Sequence, residues 1–373
     1  MTQRERWNRV LHFQTVDRVP DEEFGYWDDT LRRWHDEGLP KQVDSNEKAE
    51  LYFRFETGAG VPVDIGLRPP FESRIIEETE DRRIVTDGSG VTYVQPKDGH
   101  STIPHYLEFP IKTRDDWRRF RERLDPATPG RIPANLQELK AKWAQREVPL
   151  GIGSGSLFGW LRNWMGFEGI SIACVEDPAW VHEMMEHLTQ LFLSVIEPVA
   201  REIQLDFAAG WEDMCYRSGP IISPRMFSEF MVPRYKRITD VLRRHGCDVV
   251  IVDCDGSIEQ LVPLWLEGGV NVMFPLEVGG GTNPEALRRR YGKDVLLVGG
   301  VDKRALIAGK DAIDREVPRV ARLAEQGGYI PHVDHRVPAD VSYENYLYYL
   351  RRKREVLGIP QKEPFEFWRT SAR

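Results

Sequence analysis

Short aliphatic runs recur along the second half of the chain, each followed by a glycine- or acid-rich turn and then a segment of helical periodicity. LDFAAG (205–210) leads into the turn WEDMCYRSGP, after which Ser223 and Pro224 open a helix that stops near Gly246. DVVIVD (248–253) is the next run; Ser257 is the expected N-cap of a helix ending at Gly268-Gly269. VNVMF (270–274) precedes a helix from Asn283-Pro284 to Gly292. DVLLVGG (294–300), a helix from about 303, GGYIPHVDH (327–335) and a last helix from Ser342 to Gly358 complete the series. Strands alternating with capped helices predict a parallel sheet with helical crossovers.

The first half is less regular. RVPDEEF (18–24) and VPVDIG (61–66) read as the first two strands, and VPLGIG (148–153) as the third. Segments 72–78, 82–86 and 90–95, broken by Glu80-Asp81 and Asp87-Gly88, predict an inserted antiparallel β meander. Helices are expected at about 113–123 and 133–146, and a long one behind the cap Asp177-Pro178. The parallel strands then number eight, as a closed (β/α)8 TIM barrel requires, although an open doubly wound sheet can also be drawn from them. The expected organisation is a single barrel domain over 1–360 with the meander inserted at about 72–95, and a C-terminal tail at 361–373.

Composition narrows the partners. The net charge is −8 and no basic run stands apart from acidic neighbours, which argues against nucleic acid or an anionic membrane. With 41% hydrophobic and 29% charged residues, the 373-residue chain can bury a large core beneath a polar surface. No stretch of signal-peptide character or of transmembrane length is visible. The four cysteines, Cys174, Cys215, Cys247 and Cys254, form no CxxC pair and read as reduced thiols, so a cytoplasmic location is expected.

Catalytic groups of a βα barrel sit at strand ends and in the loops that follow. Glu212 and Asp213 follow strand four, with Trp211 and Tyr216 as candidate substrate-lining aromatics. Asp253, Cys254 and Asp255 follow strand five, Glu277 strand six and Asp302 strand seven, while His332, Asp334 and His335 end strand eight. Several carboxylates facing one opening repel one another unless a cation, a proton or a basic substrate lies between them. Asp253 and Asp255 are two apart, so in extended chain they share a side. Zinc or another divalent metal would suit oxygen and imidazole ligands drawn from Asp253, Asp255 and His335. Each residue also has a plainer reading. Asp253, Asp255 or Asp302 can cap a helix, Asp334 can pair with Arg336, Glu277 can be solvated, and Cys254 alternates away from its acidic neighbours into packing.

The stretches ISPRMFSEFMVPRYKRI, IVDCDGSIEQLV, LLVGGVDKRALIAGK and GGYIPHVDHRVPADVSYENY together resemble the uroporphyrinogen decarboxylase-like superfamily. That superfamily holds the heme-pathway decarboxylase and cobalamin-dependent methyltransferases, and the resemblance runs over nearly the whole chain. It implies a (β/α)8 barrel enzyme and, in many members, a homodimer. The decarboxylases carry arginines just after the first strand, whereas here the region reads VPDEEFGYWDD, with Gly25 and Asp29 where two of them belong. The methyltransferase branch holds zinc by His-x-Cys after strand five and Cys after strand eight. Asp253 and Asp255 align with the first two ligands and His335 with the last, a harder and oxygen-rich set. The leading expectation is methyl transfer or demethylation of a small molecule, metal-assisted, with any corrinoid supplied by a separate protein, since no DxHxxG motif is present. Two alternatives stand beside it: a metal-free decarboxylase or lyase using Asp/His acid–base chemistry, and a non-catalytic binding barrel.

Overall fold

The structure, a computed structural model, describes residues 1–97 and 104–366. Seven parallel strands curl into one sheet in the order Ala59–Gly60, Leu150–Gly155, Phe207–Trp211, Val250–Asp253, Val272–Phe274, Leu296–Val298, Tyr329–Ile330. Neighbours in the sheet are neighbours in sequence, and every pairing is parallel. Helices cover the outside, so the chain has the α/β architecture of a parallel βα barrel. Among the described residues no helix is long and apolar enough to cross a membrane.

The expected first strand differs in kind from the other seven. Residues 18–24 run extended without a ladder of their own, yet this stretch of chain touches both edges of the curled sheet. Asp21 O accepts from Glu56 N at 2.8 Å, while Val337 N donates to Gly25 O at 2.9 Å and Trp27 N to Val337 O at 3.3 Å. Pro20 lacks a backbone N–H, which removes one ladder bond outright. Side chains take the place of others: the Glu56 carboxylate accepts from Asp21 N, Lys353 Nζ donates to Glu22 O, and Glu23 accepts from Val333 N. The barrel is closed by this polar seam.

Burying these charges requires close pairing, because an uncompensated ion in a dry interior is very costly. Lys353, wholly buried on the last helix Tyr343–Val356, lies 2.7 Å from Glu23. Arg354 of the same helix and Lys362 each reach Asp21 at 3.0 Å, and Arg6 reaches Glu56 at 2.8 Å. The surrounding positive charges hold the Asp21 carboxyl below its ordinary range against the opposing effect of burial.

Elsewhere caps and apolar periodicity set the elements. Asp177 accepts from Trp180 N and opens Pro178–Glu202, whose buried face repeats through Val181, Met184, Met185, Leu188, Leu191 and Phe192. Ser223, Asn283, Asp302 and Ser342 cap the helices they precede. Ser257 does not: the helix after the fifth expected strand begins at Val262 and runs only to Glu267. The helix expected from Ser223 to Gly246 is two, Pro224–Phe230 and Val232–Arg244, broken at Met231. Helix Phe158–Glu176 and three N-terminal helices, Gln3–Leu11, Asp28–Asp36 and Asn46–Phe53, were not expected. The antiparallel meander consists of Arg74–Glu78, Arg82–Thr86 and Thr92–Pro96 and gains a fourth strand, His105–Glu108. Of the expected tail, 367–373 lies outside the described residues.

Substituting Lys353 by Met leaves Glu23 buried beside no ammonium, and we expect a loss of about 3–5 kcal/mol, measured as a lower urea midpoint. The double variant K353M/E23Q should recover part of that loss, because it leaves no unpaired charge at this position.

Candidate functional site

The barrel interior is not filled to its C-terminal end. Gly153 and Ala209 face inward where larger side chains commonly plug such barrels, and the backbones of Gly155 and Gly210 complete the wall of a cavity of about 550 Å³. Trp7, from the helix that closes the N-terminal end, and Phe207 line its depth, while Trp211 and Asp253 line the rim at the C-terminal strand ends. Among the described lining residues are Glu22, Glu23, Asp253 and His332, with no lysine or arginine.

Glu212 and Asp213 are adjacent in sequence but serve different surroundings. Glu212 turns away from the opening into a buried position, where its carboxylate accepts from Leu157 N, Phe158 N and Gly159 N at 2.8–2.9 Å and from Ser156 Oγ at 3.2 Å. Tyr235 Oη donates to it as well. These are the free N–H groups at the start of helix Phe158–Glu176, so Glu212 caps that helix from another element. A Cβ on Gly159 would come within 2.6 Å of Glu212 O, so the close approach needs glycine there. The expected catalytic place of Glu212 is therefore corrected: it is a structural acid, and burial raises its pKa despite these donors.

Asp213, at φ +41, has the left-handed backbone that sends its carboxylate back over the opening. Its Oδ1 accepts from Asp255 N at 3.2 Å. Carboxylate oxygens of Asp213, Asp253 and Asp255 lie within 4.8 Å of one another. His335, the expected third member of a metal set, stands behind them, with Nε2 3.1 Å from Asp255 Oδ2. The other oxygen of Asp255 is buried and has no hydrogen-bond partner among the described residues. Gly256, at φ +78, shapes the turn: a Cβ there would meet Cys215 O at 2.8 Å.

Charge crowding sets the protonation states. Burial, followed by the charges of Asp213 and Asp255, pushes the Asp253 carboxyl up to about 8. Asp213 is raised by burial and then by the charge of Asp255. Burial alone would lower His335, but its hydrogen bond to Asp255 and the Asp255 charge outweigh that and raise it. Trp27 stacks on the His335 ring at 5.5 Å, Phe24 meets it edge-on at 5.5 Å, and Arg336 lies over both aromatic rings. His332 is different. It is buried and held neutral with its pKa near 4, and its Nδ1 lies 2.7 Å from Val333 O. A carbonyl only accepts, so Nδ1 carries the proton and Nε2 is left as an acceptor.

The remaining expected site residues act mainly as supports. Asp334 neither pairs with Arg336 nor lines the cavity; it accepts from Val278 N, Gly279 N and Lys303 N and so pins two loops. Glu277 is bound to Lys303 at 2.7 Å and accepts from Gly256 N at 3.0 Å, which ties the loop bearing Asp255 to the next one. Asp302 caps its helix and pairs with Arg304. Trp211 lines the rim beneath the Arg162 guanidinium. Tyr216 is 54% exposed, lies edge-on to Phe167 and is absent from the cavity wall. Cys254 is buried, with Sγ 3.3 Å from Met214 N, and burial raises its pKa. The sequence reading overlooked Glu22 and Phe24, although period-two alternation within 18–24 was the signal that could have placed them inward.

A hard-oxygen trio fits a divalent cation such as Mg²⁺ or Mn²⁺ better than zinc held by thiolates, and the unpartnered Asp255 oxygen is consistent with such a guest.

Fold and site together define a βα-barrel protein with an acidic opening over an apolar chamber. The uroporphyrinogen decarboxylase (URO-D) family model matches residues 84–355, well over half the chain, and the chain belongs to that family. It is 24% identical over 238 residues to a uroporphyrinogen decarboxylase of Pseudoalteromonas atlantica, covering 59% of this chain and 62% of that protein. It is 22% identical over 176 residues to the chloroplastic uroporphyrinogen decarboxylase of Zea mays, covering 46% and 42% respectively. The chain thus spans roughly half the length of the curated relatives it matches. A methyltransferase from Methanosarcina mazei shares the fold, with TM-score 0.59 and 14% identity over 95% of this chain and 99% of that one.

The raised Asp253 pKa has a sign that can be tested. Between about pH 4 and 8 the unfolded chain ionises freely while folded Asp253 keeps its proton, so this group costs stability as pH rises through that window. Asp253→Asn removes the effect. The variant's melting temperature relative to the parent should therefore climb from pH 5 to pH 8, as read by differential scanning fluorimetry.

Proposed function

We propose that this chain is an enzyme that transfers or removes a methyl group of a small molecule held in the barrel cavity, with Asp253 protonating the departing heteroatom. The observation that carries this reading is a carboxyl at the rim where the apolar chamber meets the acid cluster, kept protonated into the neutral range by burial and by the neighbouring Asp213 and Asp255 charges. An acid whose pKa lies near the working pH is suited to proton donation. In the proposed step the bond between methyl and oxygen or sulfur breaks, and its electron pair stays on the heteroatom. That atom takes the Asp253 proton, and the methyl group passes to a nucleophile. Solvent then restores the proton to Asp253. The acceptor is brought by a separate protein, for which the superfamily resemblance suggests a corrinoid carrier; a reduced corrinoid supplies a strongly nucleophilic metal centre.

The lining speaks against decarboxylation of a polycarboxylate. Such a substrate would find no lysine or arginine among the described lining residues to pair with its carboxylates, and unpaired carboxylates are costly to take out of water.

Free cobalamin in its reduced form can stand in for the carrier. Incubation with a panel of small methyl ethers and thioethers should yield methylcobalamin by absorbance, and Asp253→Asn should lower kcat by about 10²–10⁴-fold with a smaller change in KM. Full activity in that variant would sink the role of Asp253. Carbon dioxide release from carboxylated analogues without methyl transfer would sink the reaction class.

A second, metal-assisted reading is favoured by the buried, unpartnered oxygen of Asp255 within the carboxylate trio. On this reading Mn²⁺ raises the melting temperature of the parent protein, and the rise is lost in Asp213→Asn and Asp255→Asn. A parent protein indifferent to Mn²⁺, Mg²⁺ and Zn²⁺ would leave protons as the only counter-charge at the cluster.

A further inference from the structure

The extended segment that closes the barrel carries three consecutive acids with unequal surroundings. Asp21 and Glu23 project toward the last helix, where Arg354 pairs with Asp21 and Lys353 and the Tyr349 hydroxyl bind Glu23; Lys362, beyond the helix, also reaches Asp21, whose other oxygen has no hydrogen-bond partner among the described residues. Between them, Glu22 projects into the barrel cavity, as does Phe24 two residues on. Among the described residues none donates a hydrogen bond to the Glu22 carboxyl or forms an ion pair with it, and the half-buried side chain lines the cavity. Only its backbone carbonyl is engaged, by Lys353 Nζ. A half-buried carboxyl facing an apolar chamber without a partner is costly, and native proteins seldom keep one without a reason.

We infer that the deep part of the cavity binds a small organic cation, a substrate carrying an ammonium group, with Glu22 as its counter-ion and the rings of Trp7, Phe207 and Phe274 as its walls. This inference rests on the reading of the cavity as the substrate chamber and adds the class of substrate.

Three features support it. With Glu23 bound to Lys353, Glu22 and Asp253 are the acids the described lining leaves without a cationic partner, and it holds no basic side chain, so a cation is the charge the chamber accepts. The walls are rich in aromatic rings, whose faces attract cations, most strongly where water is excluded. The volume of about 550 Å³ falls in the range of small-molecule sites. In the absence of ligand, burial and the nearby Glu56 charge push Glu22 up to about 8, so at neutral pH it is mostly protonated and gives up that proton when an ammonium group arrives. With the ammonium group at Glu22, the methylated oxygen or sulfur of the substrate is left at the rim beside Asp253.

The test is binding, not turnover. Choline and the uncharged alcohol in which carbon replaces its nitrogen have nearly the same shape and differ in charge. By isothermal titration calorimetry, choline should bind the full-length protein roughly tenfold or more tighter than the isostere. Glu22→Gln should bring the two affinities close together while far-UV circular dichroism and the melting temperature show a folded protein. Equal affinity for the two compounds in the parent protein, binding of neither, or an unchanged preference in Glu22→Gln overturns the inference. The comparison within the parent protein stands even if the variant fails to fold. Failure here would leave methyl transfer from a neutral donor intact, whereas failure of the methylcobalamin assay would leave cation binding intact.

Discussion

The cost of taking a carboxylate out of water governs this molecule. A buried acid must find a positive charge, several N–H donors or a proton, since otherwise the folded state carries the penalty. Asp21, Glu23 and Glu56 find lysine and arginine and thereby close the barrel. Glu212 finds the start of a helix, and Asp334 finds the backbone of two loops. Asp253 and Glu22 find none of these and hold protons, while Asp255 keeps one oxygen without a partner. The acids paired with cations or backbone donors build the scaffold, although Asp21 too keeps one oxygen without a hydrogen bond, while Glu22 and Asp253 line the cavity. Incomplete solvation concentrated around an empty volume is what separates a site from a structural ion network.

Closure by side chains also explains why this first segment lines the cavity. A regular ladder over 18–24 would engage the backbone on both sides and need no acids. Here Pro20 and the missing ladder bonds make side-chain carboxylates and Lys353 necessary for closure. Alternation then sends the intervening residues, Glu22 and Phe24, into the cavity. The seam and the chamber wall are two faces of the same extended segment.

Much of the barrel was legible because buried parallel strands read as short aliphatic runs and most of their helices carry caps. DVVIVD and VNVMF announce themselves, and Asn283-Pro284 and Ser342 mark true helix starts. Helix Phe158–Glu176 was hard to see for a physical reason: three of its N-terminal donors are satisfied by Glu212, more than fifty residues away, and only Ser156, which accepts from Trp160 N, caps it locally. Ser257 misled because Ser, Asp and Gly suit a turn as well as a cap. At the site, the spacing of Asp253 and Asp255 and the approach of His335 to Asp255 were legible, one from alternation and one from the superfamily pattern. The divergence of Glu212 from Asp213 was not. It depends on a left-handed residue that is not a glycine, for which the sequence gives no cue.

Replacement of soft ligands by acids has a chemical consequence that the geometry sharpens. A thiolate-and-imidazole set keeps a metal in place at neutral pH and leaves little for protons to do. Three carboxylates within 4.8 Å cannot all ionise without a counter-charge, so the cluster must take up either protons or a hard cation. His335 bonds to Asp255 alone of the three, while burial and the surrounding negative charge raise Asp253 and Asp213. The imidazole, clasped between Trp27 and Phe24, thus fixes the position of the Asp255 carboxylate from outside the cavity wall.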